Sequence, residues 1–416
     1  MPKTLYICYF GLRQPLVQTQ VLPYLRELLK DGHEISLLTF EPSAGEVETG
    51  RRGDEEVRAE LAAEGIEWHR LRYHKRLSAI ATAYDVFRGA WFIRGMIGKK
   101  SLDVLHGRVH VPTLMGAIAR KFSRRKPMLL FDIRGFFPEE YTDAGVWPEN
   151  GILYRSAKKV EKWLLKEADA FVVLTEKART ILFAESKENG RDKLGRPVEV
   201  VPCCVDLEKF SATSLEDRAS ARQQLGVGNR KVIVYVGSFG GWYLTDEMLD
   251  FFSAAREHDP ETFVLILTQR DKEKIEDKLR QRGFANADFE VRSVAPSEIQ
   301  RHLSAADIAL SFIKACYSKQ SSSPTKIAEY LACGLPVVAN AGVGDLDDLI
   351  INNKVGVLVD DFSRNSYLKA LREIEEFGDV GEKCREIAAR DFDLQKVGGA
   401  RYRKLYENLT TETYGK

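Results

Sequence analysis

The chain has 416 residues, of which 44% are hydrophobic and 30% charged, a composition typical of globular proteins. This length predicts two domains, and the formal net charge of +1 argues against a globally basic nucleic-acid binder. No apolar run approaches the about 18 residues that a membrane-spanning helix requires, so none is predicted.

The cysteines are scattered and form no C-x-x-C pair. They are Cys8, Cys203, Cys204, Cys316, Cys333 and Cys384. This distribution predicts buried reduced thiols rather than a disulfide framework or a zinc module. The first residues indicate a strand rather than a signal peptide. We therefore expect a cytoplasmic protein, with the inner face of the membrane as an alternative location.

The first half alternates short apolar strands with amphipathic helices. The predicted strands are Thr4–Tyr9, Glu34–Phe40, Asp103–His106, Met128–Ile133 and Ala170–Leu174. Unbroken apolar strands joined by helices are typical of a parallel α/β sheet that is covered on both faces.

A basic stretch rich in aromatic residues lies within this half. Between Arg70 and Lys100 there are eight basic residues, including Lys75 and Arg76, and a single acid, Asp85. The interleaved aromatic residues are Tyr84, Phe87, Trp91 and Phe92. One interpretation is a helix that lies on an anionic membrane, and the other is a solvated helix whose aromatic side chains belong to the core. A second basic run spans residues 120–126.

The second half repeats the same pattern. Its predicted strands are Lys231–Gly237, Thr262–Thr268, Ile308–Phe312, Pro336–Asn340 and Gly356–Val359. We therefore predict an α/β protein with two doubly wound parallel-sheet domains, residues 1–205 and 206–392, that face each other across a cleft. Ligands of such sheets bind beyond the carboxyl ends of the strands.

The most informative segment is SSSPTKIAEYLACGLPVV, residues 321–338. Its serines and proline predict the start of a helix, where free N–H groups and the helix dipole favour an anion. Lys326 would lie in the first turn, against the dipole, which a bound anion would explain. Glu329 would share its face and could accept hydrogen bonds from ribose hydroxyls. The alternative is an ordinary surface helix with a Lys–Glu pair.

This segment resembles the donor-binding helix of the family 4 glycosyltransferases of the GT-B fold, which reads S-P-T-K-x-x-E-Y-x-A-x-G-x-P-V-V in several members. Residues 18–38, 168–175 and 202–210 resemble other segments of that family. The resemblance implies two Rossmann-like domains and retaining transfer from a nucleoside diphosphate sugar. It also implies that residues 393–416 form a helix that crosses back to the first domain.

The chain departs from the family pattern at the donor sugar and the pyrophosphate. Ser321 stands where many members have a glutamate, and the loop after Val236 lacks the usual Arg and Lys. Arg270 or the backbone amides of Gly240 and Gly241 are therefore candidates for the pyrophosphate. The predicted donor-binding residues are Gly11, Gly237, Gly240, Gly241, Arg270, Ser321, Ser322, Ser323, Thr325, Lys326 and Glu329.

Further candidates follow strands of the first domain. Charged residues so close to the end of a buried strand indicate a site, and the predicted catalytic residues are Lys326, Glu329, Asp132 and Arg134. The predicted acceptor or sugar-binding residues are Gln18, His106, Arg108 and Glu139. Alternatives stay open: Gly11 as a turn glycine, Gln18 as a helix cap and His106 as a core histidine.

Together these observations predict a retaining hexosyltransferase of polysaccharide or glycolipid biosynthesis. Its partners would be a nucleotide sugar, a saccharide or lipid-linked acceptor and an anionic membrane, with no nucleic acid, metal or other cofactor. The alternatives are a nucleotide-sugar epimerase or hydrolase of the same fold, and a non-catalytic module that binds a sugar nucleotide or a membrane surface.

Overall fold

The computed structural model describes residues 2–42, 53–74, 78–210 and 214–414. Lys75 and Arg76, two of the predicted basic residues, lie outside these ranges. The contacts of the chain divide it into two compact units. The first comprises Met1–Pro202 and Gly398–Lys416, and the second comprises Cys203–Val397. The sequence had placed this division after residue 205 and the start of the final segment at residue 393.

Each unit contains one parallel sheet. The strands of the first are β1 (Lys3–Ile7), β2 (Glu34–Glu41), β3 (Ile66–Arg72), β4 (Val104–Arg108), β5 (Met128–Ile133), β6 (Ala170–Val173) and β7 (Val198–Val200). Those of the second are β8 (Val232–Val236), β9 (Phe263–Leu267), β10 (Phe289–Arg292), β11 (Ile308–Ser311), β12 (Val337–Asn340) and β13 (Gly356–Val359). Their orders are β3-β2-β1-β4-β5-β6-β7 and β10-β9-β8-β11-β12-β13.

Helices connect the strands in both units. They are α1 (Pro15–Gln20), α2 (Leu22–Leu29), α3 (Asp54–Ala63), α4 (Ser78–Lys100), α5 (His110–Lys121), α6 (Phe137–Asp143), α7 (Ile152–Glu167), α8 (Glu176–Leu182), α9 (Ser186–Asn189), α10 (Leu215–Leu225), α11 (Thr245–His258), α12 (Lys272–Gln281), α13 (Ile299–Leu303), α14 (Thr325–Ala332), α15 (Leu346–Asn353), α16 (Arg364–Glu376), α17 (Gly381–Asp391) and α18 (Ala400–Tyr414). None of the described helices is long and apolar enough to cross a bilayer.

The strand orders explain where ligands can bind. In the first sheet β1 lies between β2 and β4, and in the second β8 lies between β9 and β11. The direction of winding therefore reverses beside β1 and beside β8, and the loops that follow these strands diverge to leave a crevice. In the second unit the crevice receives the loop after β8 and the segment that leads into α14.

Burial on both faces explains why the strands are continuous apolar runs. Every residue of β8 and β9 is buried. One face of the second sheet packs against Tyr330 and Leu331 of α14, and the other packs against Phe251 and Phe252 of α11. These two cores hold the carboxyl ends of the strands in place, so the loops that follow them start from rigid positions.

Candidate active site

Helix α14 is anchored by its own tyrosine. The hydroxyl of Tyr330 accepts a hydrogen bond from the backbone N–H of Val236 at 2.8 Å and donates to the carbonyl of Leu310 at 3.4 Å. Tyr330 is fully buried, so these bonds fix the helix to the ends of β8 and β11. The first turn of α14 therefore lies at the crevice of the second sheet.

Lys326 occupies that first turn with its side chain buried. Its side chain is only 7% exposed, and its Nζ lies 4.2 Å and 4.3 Å from the ring centroids of Tyr235 and Tyr243. Among the described residues, Nζ has no hydrogen-bond partner. Cation–π contacts offset only part of the cost of removing an ammonium group from water. An anion at this position would supply the acceptor that Nζ lacks among the described residues.

Burial shifts the pKa values of Lys326 and of Glu329, which lie on the same helix. Loss of solvent lowers the pKa of Lys326 to about 7, although the negative charge of Glu329 opposes this change. The same loss of solvent raises the pKa of Glu329 to about 7, against the pull of Lys326. Burial therefore shifts both pKa values toward neutral pH, and perturbed pKa values of this kind are common at functional sites.

Gly237 provides the space for the ammonium group. Its φ is 141°, in the region that favours glycine, and a Cβ at this position would lie 2.8 Å from Lys326 Nζ and 3.1 Å from the Tyr235 hydroxyl. The predicted role of Gly237 in the donor site thus has a specific geometric basis, because a side chain here would displace the lysine.

A second buried lysine, which the sequence analysis missed, contacts the same loop as Lys326. Lys319 belongs to a 3₁₀ turn, Tyr317–Ser321, and is buried with its Nζ 4.1 Å from the ring centroid of Trp242. Trp242 and Tyr243 are neighbours in the loop after β8, so one aromatic loop contacts both lysines. No motif marks Lys319, and the paired aromatics at 242–243 are the one sequence signal that could have found it.

Several predicted donor residues use their polar groups within the protein. The Ser321 hydroxyl donates to the carbonyl of Ser318 at 2.7 Å, and the Ser323 hydroxyl accepts from the backbone N–H of Cys203 at 3.1 Å. The Gly240 amide donates to Thr245 Oγ1 at 2.9 Å. These hydrogen bonds stabilise the loops before α14 and after β8, so the Gly240 amide has a partner within the protein.

Four further predicted donor residues of the second unit are at least partly accessible. Ser322 and Thr325 are partly exposed beside the start of α14, and Gly241, with a φ of 62°, is exposed in the aromatic loop. Arg270 follows β9 and is exposed. Since β9 is the neighbour of β8, Arg270 lies at the same edge of the sheet as Gly237.

The structure places Asp132 in a closed network of the first unit. Its Oδ2 accepts from the Tyr402 hydroxyl at 3.0 Å and lies 3.4 Å from His106 Nε2 and 3.7 Å from Arg108 Nη1. Burial would raise the pKa of Asp132, but Arg134, His106 and Arg108 together lower it to about 2. The carboxylate is therefore charged and stabilised inside the protein.

The residues predicted for catalysis and acceptor binding in the first domain make their contacts within the first unit. Asp132 is completely buried, as are His106 and Arg108, and His106 Nδ1 lies 2.8 Å from the Tyr406 hydroxyl. Arg134 also faces inward, 3.6 Å from Asp132, and donates to the carbonyl of Val201 at 3.3 Å. Asp132 and His106 thus bind the two tyrosines of α18, and Arg108 donates to the carbonyl of Gln20 at 3.2 Å.

Gly11 and Gln18, which come after β1, also contact other groups of the first unit. A Cβ at Gly11 would lie 2.8 Å from Glu41 Oε2, so the glycine makes room for this carboxylate of the protein. Gln18 Nε2 donates to the carbonyl of Leu12 at 2.8 Å, which braces the loop before its helix. Gln18 thus stabilises the loop rather than capping the helix.

Glu139 is held in a mostly buried ion pair in the first unit. Its Oε1 accepts from Lys158 Nζ at 2.9 Å and from the Tyr154 hydroxyl at 3.2 Å. Lys158 also pairs with Glu161, whose Oε2 lies 3.1 Å from His110 Nε2. Within the described ranges, no group of three or more His, Cys, Asp or Glu side chains is placed to hold a metal ion.

Two family models match successive parts of the chain. The model described as glycosyl transferase 4-like domain matches residues 17–191, and the model described as glycosyl transferases group 1 matches residues 217–391. The second match contains the complete α14 segment. No curated protein matches this chain significantly in sequence.

Solved structures with the same fold cover almost the whole chain. A glycosyltransferase from Rickettsia africae superposes with a TM-score of 0.71 at 15% identity over 98% of both chains. A sucrose-phosphate synthase from Thermosynechococcus elongatus has a TM-score of 0.72 at 16% identity, with coverage of 99% and 100%. Anabaena HepE, solved with UDP and glucose, has a TM-score of 0.68 at 17% identity, with coverage of 99% and 100%. The predicted two-sheet α/β fold is therefore confirmed.

Proposed function

Because this chain belongs to the GT-B glycosyltransferases, which transfer sugars, we propose that it moves a sugar from a nucleoside diphosphate sugar to an acceptor hydroxyl with retention of anomeric configuration. The match to the 4-like domain agrees with family 4. The observation that carries the proposal is the buried Lys326 ammonium, which has no acceptor among the described residues and lies in the first turn of α14.

The leaving group explains this cation. When the bond between the sugar carbon and the diphosphate oxygen breaks, negative charge grows on that oxygen while the sugar becomes oxocarbenium-like. Lys326 and the free N–H groups at the start of α14 would stabilise the charge in a site with little water. An acceptor hydroxyl then attacks the sugar carbon on the same face, and its proton passes to the departing phosphate.

Glu329 has a different role in this proposal. It lies one helical turn after Lys326 and is 9% exposed, so a carboxylate there meets few competing waters. Because little water reaches this carboxylate, two vicinal ribose hydroxyls would be its hydrogen-bond donors. The proposal uses no metal ion or other cofactor.

The relatives suggest where to begin with substrates. One solved structure of the fold is HepE in complex with UDP-glucose, and another is WaaG, described as a glycosyltransferase involved in lipopolysaccharide biosynthesis. They make UDP-hexoses the first donors to test and make saccharides or lipid-linked saccharides the first acceptors. A role in polysaccharide or glycolipid biosynthesis in the cytoplasm follows as part of the proposal.

The test is a thermal-shift panel of UDP-, GDP-, ADP- and TDP-sugars, followed by turnover with and without saccharide acceptors. We expect stabilisation by one nucleotide class and release of nucleoside diphosphate that depends on acceptor, with product that keeps the donor's anomeric configuration. Release without acceptor would instead indicate a hydrolase, and interconversion of the donor would indicate an epimerase. Binding with no turnover under any condition would indicate a non-catalytic module.

A further inference from the structure

A row of exposed apolar side chains runs along α4 in the first unit. Ile80, Tyr84, Phe87 and Trp91, called here the α4 stripe, have 51–70% of their surface exposed. They are spaced by four, three and four residues, so at roughly 100° per residue they fall within about 60° of the helix circumference. A contiguous apolar surface of this kind marks an interaction site.

Cations flank the α4 stripe on both sides. The Arg88 guanidinium lies 5.8 Å from the Tyr84 ring centroid, and the Arg94 guanidinium lies 5.4 Å from that of Trp91. The last turn of the helix adds Lys99, whereas Lys100 of the same turn pairs with Glu67. Each arginine thus covers one edge of an aromatic ring and keeps its charge at the margin of the apolar surface.

A further exposed aromatic side chain, Phe122, lies directly after α5. Arg94 Nε donates to the carbonyl of Phe122 at 2.9 Å, and the Phe122 side chain is exposed. The neighbouring basic run contributes less than the sequence analysis expected, because Arg120 pairs with Asp169 and Arg125 pairs with Asp103.

No acid lies on the outward face of α4. Asp85, its single acidic residue, is fully buried and accepts a hydrogen bond from the Tyr9 hydroxyl at 2.8 Å. Its other oxygen lies 2.6 Å from His74 Nδ1. The helix therefore presents apolar and positively charged groups outward and directs its one negative charge into the protein.

We propose that the α4 stripe docks this protein on an anionic lipid bilayer. In this arrangement α4 lies in the plane of the interface with Phe87 and Trp91 among the acyl chains, while Arg88, Arg94 and Lys99 reach the phosphates of the headgroups. A second copy of the chain is a poorer occupant, because an isologous contact would bring the same cations face to face.

The test is co-sedimentation with vesicles of phosphatidylcholine mixed with phosphatidylglycerol, compared with vesicles of phosphatidylcholine alone. We expect binding to the anionic vesicles that weakens with salt, and a loss of about tenfold or more in the double variant F87S/W91S. The matched control is I152S/L194S, which removes two exposed apolar side chains elsewhere in the first unit and should bind like the wild type.

Because all four substituted side chains are exposed, both variants should keep the thermal stability of the wild type. The proposal is overturned if the wild type ignores anionic vesicles, binds neutral vesicles equally well, or binds unchanged in F87S/W91S. It is also overturned if light scattering shows a dimer that F87S/W91S dissociates. Vesicle binding needs no donor or acceptor, so this result is independent of the proposed transferase activity.

Discussion

At the residue scale, Lys326 shows how a site can be built at the expense of stability. A buried ammonium group with no hydrogen-bond acceptor among the described residues destabilises the unliganded protein, and under the proposed function the diphosphate of the donor completes it. Phosphate oxygens are suited to this position, since the lysine also lies at the positive end of α14, where cations are disfavoured and anions bind.

Replacement of Lys326 by methionine should therefore stabilise the unliganded protein. The substitution keeps the length of the side chain and removes the uncompensated charge, so we expect the free energy of unfolding to rise by about 1–4 kcal/mol near pH 7. Unfolding in urea measures this free energy for the wild type and the variant. Lys209→Met, at an exposed surface lysine, is the control and should change stability little. A destabilised Lys326→Met protein would mean that the ammonium has a stabilising partner.

The lowered pKa of Lys326 gives a pH dependence with a definite sign. Unfolding restores the ordinary pKa of 10.5, so between pH 7 and 10.5 the unfolded chain binds more protons and this group's contribution makes stability rise with pH. A diphosphate would draw a proton back to the lysine. Nucleotide binding above pH 7 should therefore take up close to one proton, as measured by calorimetry in buffers of different ionisation enthalpy. Zero uptake would contradict this account.

At the element scale, hydrogen bonds between residues far apart in the sequence hold α18 against the rest of the first unit. Tyr402 and Tyr406 reach Asp132 and His106, which are near the ends of β5 and β4. These bonds give charged residues of β5 and β4 partners inside the protein. Local pattern shows that Asp132 lies near the end of a strand, but only the tertiary structure shows that a helix about 270 residues later contacts it.

Loss of the Tyr402 hydroxyl tests this anchoring. Tyr402→Phe leaves Asp132 buried with one fewer hydrogen-bond donor, so the free energy of unfolding should fall by about 1–3 kcal/mol. The control is Tyr141→Phe, whose ring is partly exposed, with a change near zero. Chemical denaturation of both variants provides the comparison. Equal stability of Tyr402→Phe and the wild type would show that the bond does not hold α18.

At the scale of the whole molecule, periodicity alone was enough to predict two parallel sheets, because strands covered on both faces are continuous apolar runs. The positions of Lys326 and Glu329 on α14 were also predictable, since both residues stand at fixed distances from the start of the helix. What the sequence could not show was burial by distant segments. Gly11 faces Glu41, and Lys319 lies on Trp242, through contacts between parts of the chain that no local motif links.

The central claim is that the Lys326 ammonium binds the diphosphate of a nucleotide. Isothermal titration of UDP, or of whichever nucleoside diphosphate binds most tightly, into the wild type, Lys326→Met and Lys209→Met tests it most directly. We expect binding to the wild type and to Lys209→Met with equal affinity, and binding to Lys326→Met that is weaker by about 100-fold or more. Wild-type affinity in a folded Lys326→Met protein would contradict the claim.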